Sequence, residues 1–437
     1  MSRTGKLRAA LHRYVPGRPR LSPPSPFRGG SPPAGGGERS TPHTKAVIMD
    51  GLRNRARQAA ITLACHALRP FFRRWHPTRG AAFAPRRILV LRRCCLGDVL
   101  MTTPLLAALA AAYPDARLTY ATGAWSAAAL ARHPALDAII RLPERPTPRD
   151  WVHIVGRLRR GDFDLALLPE RSPLPALAAA LANIPRRVGL DSAGRGFALT
   201  DRVPVPDERH EADLALDLAR ALGLPAPSRQ QRYLPSAESH ARLMRLLGER
   251  ALPLPLLVIH PGGGANPGVT MDTKRWRPER FAEMADALLA RHGGSLVLVG
   301  AASDRATVDA MRAHLQSPAL DLCATLTLDE LGTLCQRAAL YVGNDAGTTH
   351  LAEACGAPTV AVFGPTDPAQ YGPTDGLGEA VWDPLACAPH VQRGDLTRQR
   401  AAHDTVRCID AITVPHVLEA ASRVFDRAAG RARGVRP

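Results

Sequence analysis

Three groups of residues in this chain combine side-chain types at spacings that chemistry can use. The first is Asp345-Ala346-Gly347-Thr348-Thr349-His350: a carboxylate, a glycine, two hydroxyls and an imidazole within six residues. An apolar run, Ala339 to Val342, precedes it, and Gly343-Asn344 breaks that run. Thr348 to Ala354 reads as a helix. The first amides of a helix have no intrahelical acceptor and face its positive end, so this loop is suited to an anion, and a phosphorylated ligand such as a diphosphate fits it. The competing reading is an ordinary strand-to-helix turn capped by Asn344 or Asp345. The second group is Gly97-Asp98-Val99-Leu100-Met101-Thr102-Thr103-Pro104, after the apolar run Ile88 to Leu91. A carboxylate just past a strand lies on the ligand side of a parallel sheet, where it can take a proton from a hydroxyl. Asp98 is the candidate base; otherwise it is a loop or capping residue. The third is Lys274, in Lys-Arg-Trp-Arg-Pro ahead of a helix opened by Pro278. It can neutralise a departing diphosphate, or be a solvated surface charge.

The elements that must hold these groups follow from the apolar pattern. Pro358 to Phe363 reads as a strand after the Thr348 helix, so strand, loop, helix and strand form a βαβ unit with parallel pairing. Strand signals recur at Ile88–Leu91, Leu118–Ala121, Ala138–Arg141, Leu165–Leu168, Leu256–Ile259 and Ser295–Val299, with Ala- and Leu-rich helical stretches between them. Phe281, Met284, Ala285, Leu288 and Leu289 keep the i, i+3, i+4, i+7 spacing of a packed helix. Helices are also expected over Ser303–Leu315, Leu328–Arg337 and Val414–Ala429. The Pro-rich stretch Leu222 to Pro255 around one helix is a fair connection between two domains. The fold class is therefore α/β. A length of 437 residues with 45% apolar but only 5% aromatic content suits Ala-, Leu- and Val-rich helices on parallel sheets.

The net charge of +18 is concentrated at the start of the chain. Residues 1–84 hold 16 Lys and Arg against two acids, a net +14, and the remainder carries +4. A nucleic-acid-binding body would carry the charge itself, so no nucleic-acid partner is expected. Residues 1–48 are rich in Pro, Gly, Ser and Arg and are expected to be disordered, with Met49 a plausible alternative start. Over 49–84 a basic amphipathic helix is expected, with Leu52, Ala56, Leu63, Phe71 and Phe72 among arginines. It suits either an anionic membrane surface or a docking site on its own protein. No run of 18 apolar residues occurs. The eight cysteines show neither C-x-x-C nor zinc spacing, so most are expected as reduced thiols in a cytoplasmic protein.

Asp345-Ala346-Gly347-Thr348-Thr349-His350 and Phe363-Gly364-Pro365-Thr366-Asp367-Pro368 together resemble the nucleotide-sugar site of glycosyltransferase family 9, the heptosyltransferases. Gly97-Asp98-Val99 with Pro104, and Lys274 with Trp276, resemble the same family's motifs, and the similarity runs from about residue 86 to 425. The resemblance implies a GT-B fold: two Rossmann-like domains whose parallel sheets face a cleft. It places an acceptor domain at 85–235, a donor domain at 236–412, and a helix and tail at 413–437 crossing back to the first domain. It implies an inverting transfer of heptose from an ADP-heptose-like donor to a lipopolysaccharide-core acceptor, or a related transfer from another nucleotide sugar, with no cofactor and no metal. Asp98 becomes the base. Lys274, Asp304, Asp345, Gly347, Thr348, Thr349 and His350 become donor-binding residues, Asp304 near the nucleotide ribose. The partners implied are a nucleotide sugar, a lipid-linked oligosaccharide and the inner face of the cytoplasmic membrane.

Three local features and two alternative readings sit beside this resemblance. Asp162-Phe163-Asp164 matches a D-x-D metal motif but leads straight into Leu165–Leu168 and reads as a strand entry. Arg277 is inserted before Pro278, and His390 replaces a second cysteine after Cys387-Ala388-Pro389. A dinucleotide-dependent oxidoreductase is disfavoured because no Gly-x-Gly-x-x-Gly follows Ile88–Leu91. A non-catalytic binding protein has only the basic N-terminus in its favour.

Overall fold

The computed structural model describes residues 42–73, 83–206, 209–225, 228–248, 252–266, 269–374, 376–383 and 408–432. The expected disorder of residues 1–41 and the expectations for Cys387 and His390 lie outside the described residues. The first element is helix α1 (Pro42–Arg73), which begins before residue 48 and so shortens the segment expected to be disordered.

Two parallel six-stranded sheets follow. The first contains β1 (Arg87–Leu91), β2 (Arg117–Gly123), β3 (Ala138–Leu142), β4 (Leu165–Leu168), β5 (Arg186–Asp191) and β6 (Asp201–Pro204), in the order β3-β2-β1-β4-β5-β6. Between these strands run α2 (Leu96–Leu100), α3 (Thr103–Ala112), α4 (Pro148–Arg160) and α5 (Pro173–Leu181). After β6 come α6 (Glu211–Ala221) and α7 (Ala237–Gly248). The second sheet starts with β7 (Leu256–His260), followed by a small hairpin of β8 (Ala265–Asn266) and β9 (Val269–Thr270) and helix α8 (Pro278–His292). It continues through β10 (Ser295–Leu298), α9 (Arg305–His314), β11 (Ala319–Asp321), α10 (Leu328–Arg337), β12 (Ala338–Asn344), α11 (Gly347–Ala354), β13 (Thr359–Val362), α12 (Pro368–Tyr371) and β14 (Glu379–Val381). Its order is β11-β10-β7-β12-β13-β14, the same winding as the first sheet. In both, the strand order reverses beside the first strand, between β1 and β4 and between β7 and β12. That is where an open parallel sheet leaves a crevice past its carboxyl ends.

The central strands are buried on both faces, which is why they read as continuous apolar runs rather than alternating ones. Ile88, Leu89, Val90 and Leu91 of β1 and Leu257, Val258 and Ile259 of β7 are all fully buried. The outer strands β6, β11 and β14 are three or four residues long and only partly buried, so their apolar signal in the sequence is weak. Asp164 accepts the amides of Arg86 and Arg87 at 2.7 and 2.9 Å, which ties the entry of β4 to that of β1 at the amino-terminal edge of the sheet. This is the strand-entry role expected for it.

The last helix, α13 (Val414–Ala432), corrects an expectation. It does not cross back to the first domain. Val417, Ala420, Ala421 and Val424 bury themselves in the cluster of β7, β12, β13 and α8, and Ser422 takes a bond from Arg291. The apolar stripe of α13 has found its core in the second domain.

Candidate active site

The loops after β1, β7 and β12 converge on one cleft of about 320 Å³, lined by Leu96, Trp125, His260, Gly263, Asp304, Gly347 and Thr348 among others. Its two walls come from different sheets, and they meet where α2 abuts α11. A β-carbon added to Gly347 would sit 3.0 Å from Leu96 Cβ and 3.3 Å from the Gly97 amide nitrogen. One added to Gly97 would sit 2.5 Å from the His350 ring. Both glycines therefore serve a close approach. Gly347 has no positive φ, so the conformational reason for a glycine does not apply there. This contact puts Asp98 one residue from the start of α11.

Asp98 is the third residue of α2, with its side chain about one quarter exposed. Its Oδ1 lies 2.9 Å from Nη2 of Arg92, and its Oδ2 accepts the amide of Cys95 at 3.3 Å. It thus also caps its own helix. Each oxygen keeps a second lone pair for another donor. The cysteines just before it depart from expectation: Cys94 and Cys95 form a disulfide between chain neighbours, a pairing that no C-x-x-C spacing signals. Cys65, Cys323, Cys335, Cys355 and Cys408 are free thiols.

On the opposite wall the N-cap of α11 is Ala346, with no side-chain cap. The capping alternative for Asn344 fails because its side chain is committed elsewhere. Asn344 Oδ1 accepts the Trp276 amide at 3.0 Å, and its Nδ2 donates to the carbonyls of Pro261 and Gly262. The amides of Gly347 and Thr348 have no acceptor among the described residues. That of Thr349 does: it donates to the Ala346 carbonyl at 3.0 Å, and its hydroxyl donates to Asn344 O at 2.6 Å. Thr349 therefore shapes the turn. His350 is buried against Gly97, with Nδ1 3.9 Å from Glu353, so it fills the seam between the two helices.

Lys274 reaches this helix start from the loop before α8. Its ammonium lies 2.6 Å from Asp345 Oδ2, which also accepts the Thr366 hydroxyl. Burial of Asp345 opposes its charge, but Lys274 and the Thr366 hydroxyl outweigh it and hold the carboxyl below its usual range. Asp345 thus aims and charge-balances Lys274. Trp276 anchors the loop: it is fully buried, and its indole N–H donates to Ile412 O at 2.9 Å. The inserted Arg277 is the N-cap of α8 and forks onto Asp410, so the insertion is absorbed outside the cleft.

Asp304 is buried, and both its oxygens are saturated. Oδ1 accepts the Gly263 amide at 3.1 Å and an Arg275 N–H at 3.4 Å; Oδ2 accepts the Ala301 amide at 3.0 Å and His260 Nε2 at 3.3 Å. Burial again opposes ionisation, but His260 and the two amides prevail and keep this carboxyl far below its ordinary value. With four partners it knits the loops after β7 and β10 together where they line the cleft.

Sequence reasoning passed over three residues. His260, the last residue of β7, donates from Nε2 to Asp304, and its Nδ1 is hydrogen-bonded to the Thr348 hydroxyl at 2.9 Å, which orients that hydroxyl. Trp125, just past β2, lines the cleft from the first domain while 44% exposed. Arg92, just past β1, is buried behind Asp98. The available signal was position: each lies at or just past the carboxyl end of a strand.

Two doubly wound domains of matching winding, facing across a shared cleft, make the GT-B fold of glycosyltransferases. The family model for glycosyltransferase family 9 (heptosyltransferase) matches residues 151–400, more than half of the chain, and the protein belongs to that family. The chain is 31% identical over 306 residues to lipopolysaccharide heptosyltransferase 2 of Salmonella typhimurium, which spans 64% of this chain and 84% of that relative. It is 27% identical over 309 residues to lipooligosaccharide heptosyltransferase 2 of Haemophilus influenzae, spanning 65% and 85%. Among solved structures, a family 9 glycosyltransferase from Veillonella parvula superposes with a TM-score of 0.68 at 21% identity, covering 80% of this chain and all of that one. The ADP-heptose lipopolysaccharide heptosyltransferase II of E. coli superposes with a TM-score of 0.63 at 23% identity, covering 78% and 99%. The family-model match contains Lys274 and the Asp345–His350 loop and begins after Asp98.

Proposed function

We propose that the protein transfers a heptosyl unit from an ADP-heptose-like donor to the core of a lipopolysaccharide acceptor, with inversion at the anomeric carbon. The observation that carries this reading is the abutment of α2 and α11, which sets a carboxylate beside a helix start with two open amides and an ammonium. In this reading the donor diphosphate lies against the Gly347 and Thr348 amides and Lys274. The acceptor hydroxyl approaches from the first domain, and Asp98 takes its proton as the oxygen attacks the anomeric carbon. The bond to the diphosphate breaks and its electron pair leaves with ADP. A single displacement of this kind inverts the centre. Fixed dipoles and one ammonium stabilise the leaving group, the task a divalent ion performs in other sites, so no metal or cofactor is required. Asp304, Asp345, Thr349 and His350 serve by holding this frame. The test is product formation from ADP-heptose and a defined core acceptor, with and without EDTA. Product is expected under both conditions, with UDP- and GDP-sugars poor donors. Preference for another nucleotide sugar moves the assignment within the family. Loss on chelation with rescue by Mg²⁺ or Mn²⁺ overturns the metal-free mechanism.

The same proposal includes a peripheral site on the cytoplasmic face of an anionic membrane, where such an acceptor is met. What supports it is that α1 has two apolar faces. One is docked: Ile61, Cys65 and Phe72 join the core cluster that includes Phe197, and Gln58 accepts from Arg195 at 2.5 Å. The other leaves Leu63 and Phe71 70% and 72% exposed, with Arg57 also exposed. No helix among the described residues is long and apolar enough to cross a membrane. Fully burying a Leu or Phe is worth about 1.5–3 kcal/mol. Leu63→Glu with Phe71→Glu should therefore weaken sedimentation with phosphatidylglycerol vesicles by roughly tenfold or more, without changing turnover on a delipidated acceptor. Unchanged vesicle binding would remove the membrane role. Point changes suit this test better than deleting α1, which would strip the Phe197 cluster of its cover.

A further inference from the structure

Behind Asp98 lies a buried charge cluster that the proposed mechanism does not use. Every nitrogen of the Arg92 guanidinium is engaged. Nε donates to Cys94 O at 3.4 Å, Nη1 to Pro169 O at 2.7 Å and to Glu211 Oε2 at 3.2 Å, and Nη2 faces Asp98 Oδ1 at 2.9 Å. Arg92 and Glu211 are 7% and 2% exposed. Glu211 opens α6 and is also paired with Arg171. The residue before it, His210, accepts the Ala212 amide on Nδ1 at 3.1 Å, so its proton is on Nε2, which donates to Gly372 O of the second domain at 3.0 Å. Burial, with the nearby Arg229 charge, holds His210 down to about 4 despite the Gly372 carbonyl, so it is neutral in this role.

We propose that Arg92 is the positioning residue for Asp98 and that Glu211 sets Arg92, so that the base is registered through α6 and His210 to the domain that binds the donor. This rests on the reading of Asp98 as the base. A guanidinium with four fixed partners leaves the carboxylate little freedom to swing, and one arm of it reaches an element bonded across the cleft. Lysine keeps the charge but cannot reproduce a planar fork with four acceptors. A cluster that served only stability would show its loss in the melting temperature and would act on turnover independently of Asp98.

The experiment is a double-mutant cycle on the full chain. It compares wild type, Arg92→Lys, Asp98→Asn and the double variant, reading kcat at saturation, ADP affinity by calorimetry and Tm. Arg92→Lys is expected to lower kcat by about 10–100-fold, as a base displaced by an ångström would, while ADP affinity changes less than about twofold. In the Asp98→Asn background the same change should cost less than about twofold, because a residue that acts through another loses its effect when the other is gone. Glu211→Gln, which keeps the shape of the arm and removes its charge, should give a smaller loss of kcat in the same direction. Equal losses of kcat from Arg92→Lys in both backgrounds, or a kcat within about twofold of wild type, overturn the positioning role. Near-normal turnover by Asp98→Asn alone instead overturns the base assignment, so the two failures are distinguishable.

Discussion

Asp98→Asn is expected to lower kcat by at least about 100-fold and to leave ADP affinity nearly unchanged. The substitution is close to isosteric, so the Cys95 amide can still be capped and α2 should hold its place against α11. It removes the capacity to accept a proton and, with the charge, the ion pair to Arg92. A general base contributes typically ~10²–10⁴-fold, which sets the lower bound. One consequence of the surrounding charges separates this from a folding defect. Arg92 would lose one of its two carboxylate partners but keep Glu211, so the buried guanidinium remains paired. The melting temperature should therefore fall by only a few degrees, since ~1 kcal/mol moves the Tm of a domain of 150–250 residues by about 2–4 °C. Turnover of the pure variant within about tenfold of wild type would show that Asp98 is a cap and nothing more.

The parts of this site that were legible in the sequence share one property: they are local. The strand, broken loop and helix around Asp345 and those around Asp98 each fit within some twenty residues, and the signals that mark them are apolar runs and glycines. The structure then reassigned several side chains, because a carboxylate's role depends on partners far along the chain. Nothing beside Asp304 in the sequence says that His260, Gly263 and Ala301 are its partners. That the Thr349 amide bonds the Ala346 carbonyl was likewise not legible. Arg92 was invisible because nothing near it in sequence says that Glu211, 119 residues on, is its partner. The direction of α13 was illegible for a related reason: an amphipathic stripe says that a helix docks, not on which of two similar sheets. The same ambiguity applied to α1, whose two apolar faces gave one sequence signal and meet two different surroundings.

Lys274→Ala and Gly347→Val are each expected to weaken ADP binding by about tenfold or more, by different routes. Lys274 is paired with Asp345, so removing it does more than delete a charge-assisted bond worth about 1.5–3 kcal/mol. It also leaves a buried carboxylate whose one remaining hydrogen-bond partner among the described residues is Thr366, facing the place proposed for the diphosphate. Breaking one half of a buried pair is strongly destabilising, about 3–5 kcal/mol, so the single variant should lose stability as well as affinity. Lys274→Ala with Asp345→Asn should recover most of the stability and part of the affinity, because the repulsion goes with the charge while the attraction stays lost. Gly347→Val keeps every charge. Its first side-chain carbon would meet Leu96 Cβ at 3.0 Å and the Gly97 amide at 3.3 Å, and the branch adds more bulk at the same seam. Either α11 backs away from α2 or Leu96 moves into the cleft it lines. The first moves the open amides away from the base, and the second occupies the donor's space, so kcat and ADP affinity should fall together. Calorimetry of ADP with the three variants, alongside thermal melts, separates these routes. If ADP binds all of them as it binds the wild type, the helix start and the ammonium are not the diphosphate site, and the leaving group must be held elsewhere in the cleft.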